Sequence, residues 1–130
     1  MSLLNQSQRA QFSDALTRVG GDEEILIALA EMAAEDAPPM LDQLQGQVQA
    51  EQWGAVAQTA HALKGLLSAF ETGPPVEELQ PLIDAARSSQ GEAAHAVFGD
   101  LRPSLQSLVG QVRRLTESTE SPSVDRLRKL

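Results

Sequence analysis

The sequence predicts an all-α fold, an antiparallel four-helix bundle with one or two shorter helices flanking it on the N-terminal side. Three observations predict it. The chain is rich in Ala, Leu, Gln and Glu and poor in β-branched residues, which favours helices over strands. Apolar residues recur at spacings of three and four along most of its length, so each segment carries one apolar stripe. Gly, Pro and Asp interrupt the stripes at short turns, and helices joined by short turns lie antiparallel. At 130 residues the chain closes a single core: residues 1–117 read as one bundle domain and 118–130, with few apolar residues and mixed charge, as a flexible tail.

Phe12, Leu16 and Val19 form the first stripe, which Gly20-Gly21-Asp22 ends. Asp22 suits the N-cap of a second helix, with Glu23 and Glu24 in the first turn, where the helix dipole favours negative charge. That helix is expected to end at Pro38-Pro39, and a third to run from Met40 to Ala50 on Met40, Leu41, Leu44 and Val48. Between Gln52 and Phe70, the residues Val56, Ala60, Leu63, Leu67 and Phe70 step by four, three, four and three. Pro74 or Pro75 suits the first turn of a fifth helix holding Val76, Leu79, Leu82, Ile83 and Ala86. The last helix, about Glu92 to Glu117, carries Val97, Leu101, Leu105, Leu108, Val112 and Leu115, and Pro103 is expected to bend it or mark a new start.

Composition excludes several functions. A net charge of −8 argues against nucleic acid, whose backbone needs a concentrated positive surface. With no cysteine there is no disulfide, thiol nucleophile or cysteine-ligated zinc. No apolar run is long enough to span a bilayer and the N-terminus lacks a secretory pattern, so a soluble, cytoplasmic protein is expected.

Of the two histidines, His61 stands out, in the stretch Thr59-Ala60-His61-Ala62-Leu63-Lys64-Gly65. At about 100° per residue, His61 lies roughly 140° from the apolar stripe and faces solvent. Gln58, Lys64, Gly65 and Ser68 share its side. An exposed neutral imidazole can take a phosphoryl group on a ring nitrogen. Lys64, one turn on, would offset the phosphoryl charge, and Gly65 removes a side chain that would crowd the ring. His95 has no such companions and reads as structural or solvated. No metal-binding spacing such as H-E-x-x-H is present, so no metal site is expected. Trp53 and Phe70 read as packing residues, and the acidic pairs Glu23-Glu24 and Glu77-Glu78 as first-turn charges.

The run Ala60 to Gly65, AHALKG, resembles the A-H-x-L-K-G core of the histidine-containing phosphotransfer (HPt) domain family of two-component phosphorelays. RVGGDEEIL, EDAPPMLDQL and EQW upstream and LIDAAR downstream extend the resemblance over about Thr17 to Leu115. It implies a helical bundle in which His61 is the phosphoacceptor, Lys64 the positive neighbour and Gly65 the clearance residue. The implied partners are a response-regulator receiver domain and a sensor or hybrid histidine kinase, with the chain acting as a monomer and as a carrier rather than a turnover enzyme. No glycine-rich nucleotide loop is present, so no cofactor is expected, and Mg²⁺ only on the partner receiver domain. Ala57, Leu66 and Ala69 are the expected apolar docking rim.

The chain departs from the family pattern after the core. Leu66 and Leu67 stand where family members usually have small residues, and Glu71 where they have a second glycine. Ile83 occupies the place of a Gln or Glu that often bonds the imidazole, which leaves Gln80, one turn earlier, as the candidate partner. These departures motivate a second reading, a bundle that docks receiver or kinase domains without carrying phosphate.

Overall fold

The computed structural model describes residues 3–120. Six α-helices follow one another: α1 (Gln6–Gln11), α2 (Ser13–Arg18), α3 (Glu23–Gln49), α4 (Trp53–Leu67), α5 (Leu79–Arg87) and α6 (Gly91–Glu120), with a 3-10 turn at Val76–Glu78 leading into α5. No strand occurs among the described residues. α3, α4, α5 and α6 form the bundle as a ring, each packed against the next and α6 against α3.

The two short helices expected at the N-terminus are α1 and α2. α1 opens with a capping box: Gln8 N donates to Asn5 Oδ1 at 2.8 Å and Asn5 N to Gln8 Oε1 at 3.0 Å. The backbone leaves helical geometry at Phe12 (φ −106°, ψ 28°), which separates the two helices and turns the ring into the core. There it meets Phe70 edge to face, the centroids 6.4 Å apart. The pair lies across one end of the bundle: Gln8 Nε2 reaches the Arg114 carbonyl on α6 at 3.3 Å, and Gln11 Nε2 reaches Gln111 Oε1 at 2.7 Å.

Three chain reversals use one device. After α2, Gly21 N donates to Leu16 O (2.7 Å) and Gly20 N to Thr17 O (3.1 Å), a Schellman turn with Gly20 at φ 70°. α3 ends the same way through Gln52 N to Gln47 O (3.0 Å) and Glu51 N to Val48 O (3.1 Å), with Glu51 at φ 56°. α5 repeats it through Gln90 N to Ala85 O (2.9 Å) and Ser89 N to Ala86 O (3.3 Å), with Ser89 at φ 55°.

The structure corrects three expected boundaries. Pro38 and Pro39 do not end a helix; α3 runs through them from Asp22, whose Oδ1 accepts from Glu24 N (3.0 Å) and Ile25 N (3.3 Å). The reason is packing. Buried Leu26, Ala30, Ala33, Ala37, Leu41, Leu44 and Val48 keep one register across the prolines, so burial of the continuous stripe outweighs the lost backbone bonds. Likewise α6 starts at Gly91 and holds Pro103 without a new start, its buried Leu101, Leu105 and Leu108 staying in phase. It continues to residue 120, three past the expected end of the helix, while 121–130 of the expected tail lie outside the described residues. Pro74 and Pro75 precede a 3-10 turn rather than sitting in an α-helical first turn; Pro81 takes that place in α5, where a backbone N–H has no helical partner to lose.

Candidate functional site

α4 carries the site, and its phase is set by Val56, Ala60, Leu63 and Leu67, all at 0% exposure between α3 and α5. That places His61 and Gln58 on the exposed side, as the stripe spacing requires. The imidazole has no hydrogen-bond partner among the described residues, so both ring nitrogens are open to an approaching group. Gly65, one turn on, is also exposed, and a Cβ built there would meet nothing within 4 Å. Close packing inside the domain is therefore not what the glycine serves.

Lys64 is half-buried and turned towards α5, where its Nζ donates to Gln80 Oε1 at 2.8 Å. Gln80 Nε2 in turn donates to Asp84 Oδ1 at 2.9 Å. Gln80 is thus the partner of the lysine, and not of the imidazole as its position after His61 suggested; a nearby ammonium draws the amide oxygen in a charge-assisted bond. Ile83 is at 0% exposure, inside the core. Ser68, the C-cap of α4, turns its hydroxyl back to the Lys64 carbonyl and is half-buried.

The expected docking rim divides. Leu66 and Ala69 are half-buried and border the core, whereas Ala57 is only 6% exposed and forms part of it. α4 packs against both α3 and α5, which buries a wider arc than its narrow stripe implied, and Ala57 falls within that arc. Exposed apolar side chains lie instead on α3, with Ile25 46% and Met32 60% exposed and half-buried Leu29 between them. Gln45 and Gln49 of α3 line a groove with Phe98 and Arg102 of α6, and Ile25, Leu29 and Met32 lie on the other flank of α3's buried stripe. On α4, Lys64 marks the α5 side and Leu66 lies on the other flank of the buried stripe, while Ala69 follows the end of the helix. The spacing Ile25, Leu29, Met32 was legible in the sequence; that this flank stays uncovered was not.

His95 is tied elsewhere. Its Nε2 lies 3.2 Å from Glu51 Oε2, and its ring meets Trp53 edge-on with centroids 5.3 Å apart. It holds the start of α6 against the start of α4. Among the described residues no group of three or more His, Asp or Glu side chains could hold a metal ion. No described helix is long and apolar enough to cross a membrane.

Fold and site together define a class: a helical bundle that presents one open histidine on a helix surface, with a lysine and a glycine one turn away. The chain belongs to the Hpt domain family, whose model matches residues 28–116, from the second turn of α3 to near the end of α6 and across His61. It is thereby a histidine phosphotransfer module of two-component phosphorelays, a family that works with receiver domains and histidine kinases. Neither the curated proteins nor the solved structures contain a match to the chain.

Proposed function

We propose that His61 carries a phosphoryl group between receiver-domain aspartates, or accepts it from a sensor kinase. The observation that carries this reading is Gly65 beside an unpartnered imidazole. A mid-helix glycine costs about 1 kcal/mol relative to alanine, and the open space at its Cβ position shows no contact within the domain that requires it. The room serves a partner that comes close to His61.

In the transfer, the unprotonated ring nitrogen of His61 attacks the phosphorus of the aspartyl phosphate. The N–P bond forms, the P–O bond breaks, and the aspartate carboxylate leaves with the electron pair. The onward step is the same displacement in reverse on a second receiver. Lys64 supplies positive charge one turn away, and Gln58 and Ser68 are polar contacts on the same side. No nucleotide-binding loop is present; Mg²⁺ in this reading is held by the receiver, and the chain acts as a monomeric cytoplasmic carrier with no cofactor of its own. Ile25 and Met32, with half-buried Leu29 between them, leave an apolar strip on α3 for a partner surface.

Ile83 favours a second reading, docking without transfer, because its burial leaves the imidazole without the neighbour that family members often have. Incubation with phosphorylated receivers separates the two. Acid-labile, alkali-stable phosphate is expected on the wild type and absent from His61→Gln. Label that persists in His61→Gln would sink the assignment, and docking without label would support the second reading.

A further inference from the structure

Resting on the reading of His61 as phosphoacceptor, we propose that Gln80, oriented by Asp84, is a positioning residue that holds the Lys64 ammonium beside the phosphoryl site. The three side chains form a chain across the α4–α5 seam, Lys64 Nζ to Gln80 Oε1 at 2.8 Å and Gln80 Nε2 to Asp84 Oδ1 at 2.9 Å. The carboxylate of Asp84 only accepts, so it fixes the amide with its NH₂ towards Asp84 and its oxygen towards Lys64. Gln80 and Asp84 are four residues apart on α5, where side chains on one face meet.

The chemistry suits a lysine that must be near a phosphoryl group without being neutralised beforehand. A free lysine has four rotatable bonds and extends its head into water, so a fixed position has to be imposed. Gln80 imposes it with a neutral acceptor, which leaves the full positive charge and two N–H donors of Lys64 for a dianionic group on His61. A carboxylate at position 80 would fix the lysine equally well but cancel its charge. Asp84 bonds to the amide and supplies its negative charge one side chain further away.

The test uses phosphoramidate, which phosphorylates imidazoles by releasing ammonia and needs no receiver. The rate at which His61 takes the phosphoryl group would be measured for wild type, Gln80→Met, Lys64→Met and the double variant. Methionine keeps the length and helix preference of glutamine without its acceptor, and a thermal melt of each variant controls for folding. Freeing the Lys64 head from its fixed position is expected to lower the rate roughly three- to tenfold in Gln80→Met, less than the whole worth of a charge-assisted bond because the lysine still visits the site. The double variant is expected to match Lys64→Met alone, because Gln80 acts through the lysine. Gln80→Glu is expected to slow acceptance further than Gln80→Met, a charge effect that a merely structural role would not produce. A wild-type rate in Gln80→Met, or losses that multiply in the double variant, would overturn the proposal. Failure of receiver transfer with these phosphoramidate differences intact would count against the relay reading alone.

Discussion

Arg18 of α2 donates from one guanidinium nitrogen to the carbonyl oxygen of Ala69 at 3.0 Å, and also to that of Ser68 at 3.2 Å. Both oxygens lie just past the end of α4, where carbonyls have no helical partner, and the cation there also complements the negative end of the helix dipole. Arg18→Ala is expected to cost about 1 kcal/mol, since the site is exposed and only part of a charged hydrogen bond's worth is realised. In a chain of this size that lowers the melting temperature by about 4 °C. Thermal melts would show it, and an unchanged midpoint would mean that water serves these carbonyls equally well.

This cap also explains how much of the site was legible. The direction of His61 followed from stripe spacing alone, because buried Ala60 and Leu63 flank it and leave the helix no other phase. The end of α4 did not follow, because its shape depends on Arg18, fifty residues away in the chain. The same limit applies to Gln80. Its separation from His61 pointed to the imidazole, but Lys64 competes for it across the helix seam. The sequence does carry a signal for this, a carboxylate, Asp84, four residues after Gln80 on the same helix. Among the elements, local rules make the prolines stops, while the apolar register of α3 runs through them and sets the outcome.

Two glycines, Gly91 of α6 and Gly65 of α4, are expected to respond oppositely to alanine. At Gly91 an added Cβ would lie 3.1 Å from Trp53 Cζ2, inside ordinary contact, so Gly91→Ala displaces the indole and its edge contact with His95. Overpacking of this kind costs about 1–3 kcal/mol. At Gly65 the Cβ meets nothing within 4 Å, and Gly65→Ala should stabilise the fold by up to about 1 kcal/mol from helix propensity. Denaturant titration of both variants checks the signs. If Gly65 keeps space for a partner, the more stable Gly65→Ala is also the slower phosphoacceptor from a receiver; equal rates would remove the clearance role.

Ser89 and Gly20 occupy the same left-handed position of two Schellman turns, at φ 55° and φ 70°. A side chain there crowds its own backbone by roughly 1–2 kcal/mol, a strain glycine does not feel. Ser89→Gly is therefore expected to stabilise by about 0.5–1 kcal/mol, after the extra freedom of glycine in the unfolded chain is subtracted. Gly20→Ala should destabilise by about 1 kcal/mol on the same grounds. Chemical denaturation of both, with unchanged m values, tests whether the two turns are equivalent.

Pro39 offers the sharpest test of what holds α3 together. It is exposed, so replacement disturbs no core contact, and its ring removes the backbone bond that residue 39 would otherwise give to the Glu35 carbonyl. An interior proline costs a helix about 3 kcal/mol relative to alanine, while the stiffness it gives the unfolded chain returns about 0.4–1 kcal/mol. Neighbouring Pro38 still constrains the same turn, so the full difference is not recovered. Pro39→Ala is accordingly expected to raise stability by about 1–2 kcal/mol. A gain would mean that α3 is continuous in spite of its prolines, driven by burial from Leu26 to Val48. A loss would mean that the bundle is fitted to the bend they impose, and that Ala37 and Leu41 reach the core only through it.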